Sequence, residues 1–316
     1  MTVTAQAGLL ILLQTLVVLA FAPLLLGLMR QLRARLEGRA GPGVWQPWRD
    51  LRKLAGKSTL RAPGTHLAGV MPLVLTGTSL LLVALLPLLG TATLPWVPDD
   101  LFVVVSVLLL GTVAIALLGI DTGTAFGGMG ASRHMTIAAL VEPTVLVAVY
   151  ALSIPSGTSS LSGIITARID HPASVVSPIS LLALVALVIV VVAETGRLPV
   201  DNPATHLELT MVHEAMILES SGRDLGWVEY ASWLRLTALL GLVMNLAAPW
   251  GIAQQVSPLS LAVALLALLV KLTFAAVTLS LVEVFLAKLR LFRVPELMAG
   301  SFVLAFLAVT ASYLVA

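Results

Sequence analysis

The stretch ISLLALVALVIVVVA, residues 179–193, carries no charge and no helix-breaking residue. Apolar runs of about 20 residues recur along the chain, and a water-soluble core has no room for so many. In lipid, a spanning segment must satisfy its own backbone polar groups, which leaves helices and closed barrels. Continuous rather than alternating apolar runs select helices. Composition agrees, with 59% hydrophobic residues, 11% charged residues and a mean hydropathy of +1.03. Soluble domains sit near about 45–50% apolar and about 25% charged. The expected fold is an all-α integral membrane protein forming one membrane domain over residues 1–316.

Eight spans are expected, at 5–29, 65–90, 100–119, 136–154, 176–193, 230–248, 258–286 and 297–315. The N-terminal run is followed by no small-residue cleavage site and reads as a retained helix, not a signal peptide. No internal repeat is visible.

The basic residues give an orientation. Nine lie between the first two spans, and Arg133, Arg197, Arg223, Lys288, Arg290 and Arg293 fall on the same side. The opposite side holds Arg168. The positive-inside bias puts the basic connections in the cytoplasm and both termini outside. Within the first connection, WQPWRDLRKL (residues 45–54) spaces Trp45, Trp48, Leu51 and Leu54 about three apart, with basic residues between them. This pattern predicts an amphipathic helix in the membrane interface, drawn to lipid headgroups. The net charge of +2 comes mainly from the whole connection between the first two spans. Lipid is the expected partner, and no nucleic acid.

The chain has no cysteine, which excludes disulfides and thiolate-held metal. Its histidines, His66, His134, His171, His206 and His213, are expected in loops or at helix ends. That placing argues against a haem held between mid-membrane histidines, so any electron transfer belongs to another subunit.

A few charges fall inside the apolar spans. Glu142 is expected about two turns into the fourth span, beside Pro143. Lys271 lies near the middle of the seventh, about 18 Å along the helix from Glu283. Glu194 closes the fifth. A charge in the bilayer costs several kcal/mol unless it is paired, hydrated or neutralised. Burial brings acids and lysines closer to exchanging protons at neutral pH. These residues are too few for an aqueous pore and suit a proton path. The competing reading is structural ion pairs, with each other or with partner subunits.

Residues 193–219, AETGRLPVDNPATHLELTMVHEAMILE, hold Glu194, Asp201, Glu208, Glu214 and Glu219. Pro199, Pro203 and Asp201-Asn202 break the helix, and a helix is expected again over about 203–219. Arg197 is expected to tie this acidic loop, as the nearest basic residue to Glu194, Asp201 and Glu208. His206 and His213, seven apart, are a weak metal signal without a third ligand. The glycine-rich segment GTAFGGMGASR, residues 123–133, is expected as a cytoplasmic loop. It lacks both the preceding strand and the Lys-Ser/Thr of a phosphate-binding loop, so tight turning or close packing against a neighbouring subunit is the better account.

Four landmarks carry a family resemblance: Arg39-Ala-Gly-Pro42 with Gln46-Pro47; Gly130-Ala-Ser-Arg133 with Glu142 nine residues on; Ala193-Glu-Thr-Gly-Arg-Leu-Pro-Val-Asp201; and Glu229-Tyr230 opening the sixth span. Nearly the whole chain resembles the membrane subunit that forms the quinone-chamber heel of respiratory complex I, and its relatives in membrane-bound [NiFe] hydrogenases. The continuation DNPATHLELTMVHEAMILESSGR is similar to the formate hydrogenlyase type. Complex I members have an acid- and glycine-rich stretch where this chain has Asn202-Pro203-Ala204-Thr205-His206.

The resemblance implies a non-catalytic subunit in a bacterial or archaeal cell membrane. It would bind no cofactor itself. The [NiFe] centre and iron–sulfur clusters would lie in hydrogenase large and small subunits, with antiporter-like subunits alongside. In the family, the positions of Glu142 and Glu194 belong to an acidic path. The path expected here comprises Glu142, Glu194, Glu208, Glu214, Glu219, Lys271 and Glu283. The loop 194–229 would face the redox arm, with Arg133, Arg197, Asp201, His206, His213 and Arg223 in docking. Competing readings are a quinone-site subunit of an NADH:quinone oxidoreductase, a stand-alone transporter using Lys271 and Glu142, and a passive scaffold.

Overall fold

The computed structural model of the chain describes residues 3–94, 97, 99–201, 211–290 and 293–315. Its helices are α1 Val3–Leu36, α2 Gln46–Ala55, α3 Met71–Leu85, α4 Leu101–Asp121, α5 Ala125–Ser153 and α6 Leu161–Asp170. They continue, after a 3-10 turn at Pro172–Val176, with α7 Pro178–Glu194, α8 His213–Ile217, α9 Gly222–Ala247, α10 Pro258–Phe285 and α11 Val294–Val315. Among the described residues there is no named strand.

Six helices, α1, α4, α5, α9, α10 and α11, are long and apolar enough to cross a membrane, and α3 and α7 are shorter apolar helices. Together they account for the eight expected spans. The helix starts are set by local chemistry. Asp100, Thr124, Ser160, Ser177 and Ser257 each accept a backbone N–H in the first turn of the helix they precede. Pro178 and Pro258 occupy the first helical position, where a missing N–H costs nothing.

The helices form one bundle. In it α5 packs against α4, α7, α8 and α11, and α9 packs against α1, α2, α3, α7 and α10. Outward faces stay apolar. On α10, Leu259, Leu266, Val270 and Phe274 are exposed, which suits lipid and not water. The amphipathic α2 appears where WQPWRDLRKL predicts it, packed on α1 and α9.

Several expectations are revised. The segment 123–133 is not a loop, because α5 begins at Ala125. Gly127 and Gly130 let it come close to its neighbours. A β-carbon at Gly130 would lie 2.9 Å from the Ala215 side chain and 3.0 Å from the Val212 carbonyl, so the close packing is against α8 of the same chain. His134 therefore stands inside a helix. Glu142 sits deeper than two turns, about 26 Å from the start of α5. Helix α9 begins at Gly222, well before Glu229-Tyr230. Of the helix expected over 203–219, α8 is present; His206 and Glu208 lie outside the described residues.

Helix α3 is about 22 Å long against a bilayer core of about 30 Å, and residues 86–90 continue it without a helix. Backbone at that depth needs partners. Gln14 donates to the carbonyls of Val83 (2.8 Å) and Leu86 (3.0 Å). Asn245 donates to those of Pro87 (2.9 Å) and Leu88 (3.0 Å). Lys271 donates to the Asn245 side-chain oxygen at 3.0 Å, which turns the amide group towards those carbonyls.

Candidate functional site

The turn Glu194–Asp201 is the organising element. Helix α7 ends with Gly196 in the left-handed region (φ 59°). The Arg197 N–H reaches back to the Val192 carbonyl (3.0 Å), and the Gly196 N–H to the Ala193 carbonyl (3.1 Å). This is a Schellman ending, and it needs glycine at its left-handed position. The reversal points three charged side chains towards different elements.

Glu194 is ion-paired and hydrogen-bonded to Arg235 of α9. The same guanidinium donates to the Thr112 hydroxyl (2.9 Å) and to the Leu108 carbonyl (2.8 Å) of α4. Thr112 in turn donates to Glu194 at 3.4 Å. Glu142 of α5 is buried beside Thr112, within the field of Glu194 and Arg235. Its Oε1 has no hydrogen-bond partner among the described residues. Thr112 lies about 14 Å before the end of α4, so this cluster is well inside the bundle.

Arg197 turns the other way, to Glu283 of α10 at 3.7 Å, and Glu283 also binds Arg33 of α1. Burial, with Arg33 and Arg30 nearby, lowers Arg197 to about 9; Glu229 opposes the shift. It remains a cation at neutral pH. Asp201 accepts from Lys288 (2.7 Å) and from the backbone N–H of His213 (3.1 Å). Arg197 is therefore not the tie for Glu194 and Asp201 that sequence proximity suggested. Each carboxylate has a cation more than 40 residues away in sequence.

Beside this turn lies a cavity of about 490 Å³. Three landmark segments converge on it: Arg39, Gly41 and Pro42; Thr195, Gly196 and Arg197; and Glu229. Arg30, Trp233, His213 and Glu214 also line it. Arg30 lies over the Trp233 ring at 5.8 Å, and the indole N–H donates to Glu229 at 3.1 Å. His213 borders two smaller cavities of about 50 and 30 Å³, each also lined by His134 and Glu194. The His134 Nε2 is buried without a partner among the described residues. Thr195 and His213 line both the large cavity and the 50 Å³ space, and Gly196 and His213 line both the large cavity and the 30 Å³ space.

The remaining candidates are dispersed. Arg133 donates to the Met211 carbonyl (3.0 Å) and helps seat α8. Glu219 and Arg223 are exposed. Lys271 is held by Asn245, away from the acidic cluster. Arg235 was not singled out from sequence, although a lone arginine in the apolar run SWLRLTALL is a signal of the same kind as Lys271. Thr112 had no signal, since one threonine in a span is ordinary. Among the described residues, no group of three or more His, Asp or Glu is placed to hold a metal ion.

Comparison with known proteins places this arrangement. Formate hydrogenlyase subunit 4 of Escherichia coli (strain K12) is 32% identical over 302 residues, covering 94% of this chain and 96% of that protein. Hydrogenase-4 component C of the same organism is 32% identical over 297 residues, covering 93% and 92%. In fold, the chain superposes with a TM-score of 0.82 on a chain of the membrane-bound sulfane sulfur reductase, an archaeal respiratory membrane complex. That match has 21% identity and covers 96% of this chain and 99% of the other. The NADH dehydrogenase family profile matches residues 8–314, and this multi-pass membrane chain belongs to that family.

Proposed function

We propose that the chain is the membrane-anchor and proton-coupling subunit of a hydrogenase of the complex I-like kind. The observation that carries this reading is the position of Glu194. It closes α7 at the turn beside the large cavity, and it shares Arg235 and Thr112 with the buried Glu142. A change of charge or shape at the turn is felt directly at the carboxylates. Two acids around one arginine leave room for one exchangeable proton.

In this reading the basic and acidic connections face the cytoplasm, and both termini lie outside. The cavity wall and the 194–229 segment meet hydrogenase large and small subunits, which hold the [NiFe] centre and iron–sulfur clusters. Antiporter-like subunits take up the proton path in the membrane. Glu142 and Glu194 form its core, with Glu214 at the cavity and Glu283 between Arg33 and Arg197. Full-length likeness to subunits of formate hydrogenlyase and hydrogenase-4 supports the hydrogenase assignment. The test is purification through a tag on this chain. Co-purifying nickel protein and hydrogen evolution are expected, and a complex lacking both would overturn the reading.

The size and mixed polar and apolar lining of the 490 Å³ cavity favour a second reading, in which it admits a quinone head group. Inhibitor-sensitive quinone reduction without hydrogen turnover would select it.

A further inference from the structure

At the opposite end of α7 from the Glu194–Asp201 turn, Arg168 stands in the last turn of α6 and is only 5% exposed. Its Nη2 donates to the Ser180 hydroxyl at 2.6 Å, and its Nε is buried without a partner among the described residues. No acidic residue pairs with it among those residues, unlike Arg33, Arg197 and Arg235. Burial alone lowers its guanidinium to about 10, with no carboxylate opposing the shift. A buried cation without a counter-charge is strongly unfavourable unless something else supplies one.

The surroundings show what could do so. Arg168 lines a cavity of about 250 Å³ with His171, Ser174, Ser177 and Ser180, and Leu152 gives it an apolar wall. One water needs roughly 10–15 Å³, so the space admits a polyatomic group. Helix α7 starts here. Ser177 caps it, accepting from the Ser180 N–H at 3.2 Å, and its first turn lines the cavity. The positive end of a 17-residue helix thus adds to the charge of Arg168. The hydroxyls of Ser174 and Ser177 are spent on the carbonyls of His171 and Ser174. Ser180 accepts from Arg168, so its own proton is available to a ligand. A guanidinium fork, a hydroxyl donor and a helix N-terminus together match an oxyanion.

We propose that this cavity is an oxyanion site that takes a phosphate group, from a phospholipid headgroup or from inorganic phosphate, with Arg168 as its principal partner. The cavity is lined by the last turns of α5 and α6, the 3-10 turn and the first turn of α7, and a lipid phosphate would enter from the membrane side. Inorganic phosphate would enter from the aqueous end.

The test uses the intact chain in its membrane complex. One arm measures binding of radiolabelled inorganic phosphate after delipidation. The other reconstitutes the complex in nanodiscs of phosphatidylglycerol and phosphatidylcholine, and counts retained lipids by native mass spectrometry. Binding in the first arm identifies the free ion. Retention in the second without binding in the first identifies the headgroup. Arg168→Gln should weaken whichever probe binds by at least roughly tenfold. Ser180→Ala should weaken it less, and Lys57→Gln, an exposed cation elsewhere, should leave it unchanged. If Arg168→Gln does not fold, Ser180→Ala decides, with a loss expected. Equal binding by wild type, Arg168→Gln and Ser180→Ala, no binding in either arm, or a partner subunit's carboxylate cross-linked into the cavity would each overturn the proposal.

Discussion

Arg235 on α9 joins Glu194 on α7 in an ion pair, and the same Nη2 also lies within hydrogen-bonding distance of the Thr112 hydroxyl and the Leu108 carbonyl on α4. One guanidinium thus fastens three helices and balances two buried acids. Arg235→Gln should destabilise the chain by about 3–5 kcal/mol, because it strands Glu194 rather than merely deleting a contact. Replacing Arg235 and Glu194 together with leucine should recover much of that loss. Thermal unfolding of the purified variants checks both values. A single variant as stable as wild type would remove the pair from the structural account.

Glu142 separates coupling from scaffolding. Glutamine keeps its size but cannot change charge. Glu142→Gln should leave assembly intact, since removing a buried charge without a direct ionic partner is often neutral or stabilising. Proton movement per hydrogen turned over should fall sharply. Hydrogen evolution followed together with internal pH in sealed vesicles gives the ratio, and an unchanged ratio would exclude Glu142 from the path.

Glu283 lies between Arg33 and Arg197. Glu283→Gln leaves buried Arg197 and partly buried Arg33 without their shared carboxylate, and should cost about 3–5 kcal/mol. Glu37→Gln frees Arg39 at the surface and should cost less than about 1 kcal/mol. Retention of the peripheral subunits through a salt wash should fall in Glu283→Gln relative to wild type. Equal retention would show that the Glu283 node has no part in docking.

Lys271 and Asn245 serve the broken end of α3. Asn245→Ala leaves two buried carbonyls unpaired and should cost about 1–3 kcal/mol for each. Lys271→Gln should leave the proton-to-hydrogen ratio near wild type, because Lys271 stands apart from the acidic cluster. A ratio that collapsed in Lys271→Gln would return this residue to the path.

Sidedness is accessible because the chain has no cysteine of its own. Ala173→Cys and Lys57→Cys, both at exposed positions, should react with an impermeant thiol reagent from opposite sides of the membrane. Labelling of both from the same side would refute the eight-span orientation.

The spans were legible because uncharged runs such as 179–193 satisfy only one kind of secondary structure in lipid. The start of α5 was not, because Gly127, Gly128 and Gly130 read as a loop by propensity. The missing side chains at Gly127 and Gly130 let α5 lie against α4 and α8, so tertiary packing overrides local preference. Glu142 and Glu194 stood out as expensive charges, and the structure brings them to one place. Their shared cation, Arg235, did not stand out, because pairing across 41 residues leaves no local trace. Arg197 was assigned to neighbours in sequence, whereas the Schellman ending turns it away from them.

That ending has a mechanical consequence. Across eight residues the chain is tethered through Glu194 to α9, through Arg197 to α10, and through Asp201 to Lys288 just beyond α10. The tethers leave a tight reversal with little slack between them. Tilting α10 pulls on Arg197 and Asp201, and the pull reaches Glu194 through a rigid knuckle of backbone. Under the proposed coupling, the turn would act as a bell-crank, converting a push on one side of the bundle into a change of charge pairing on the other.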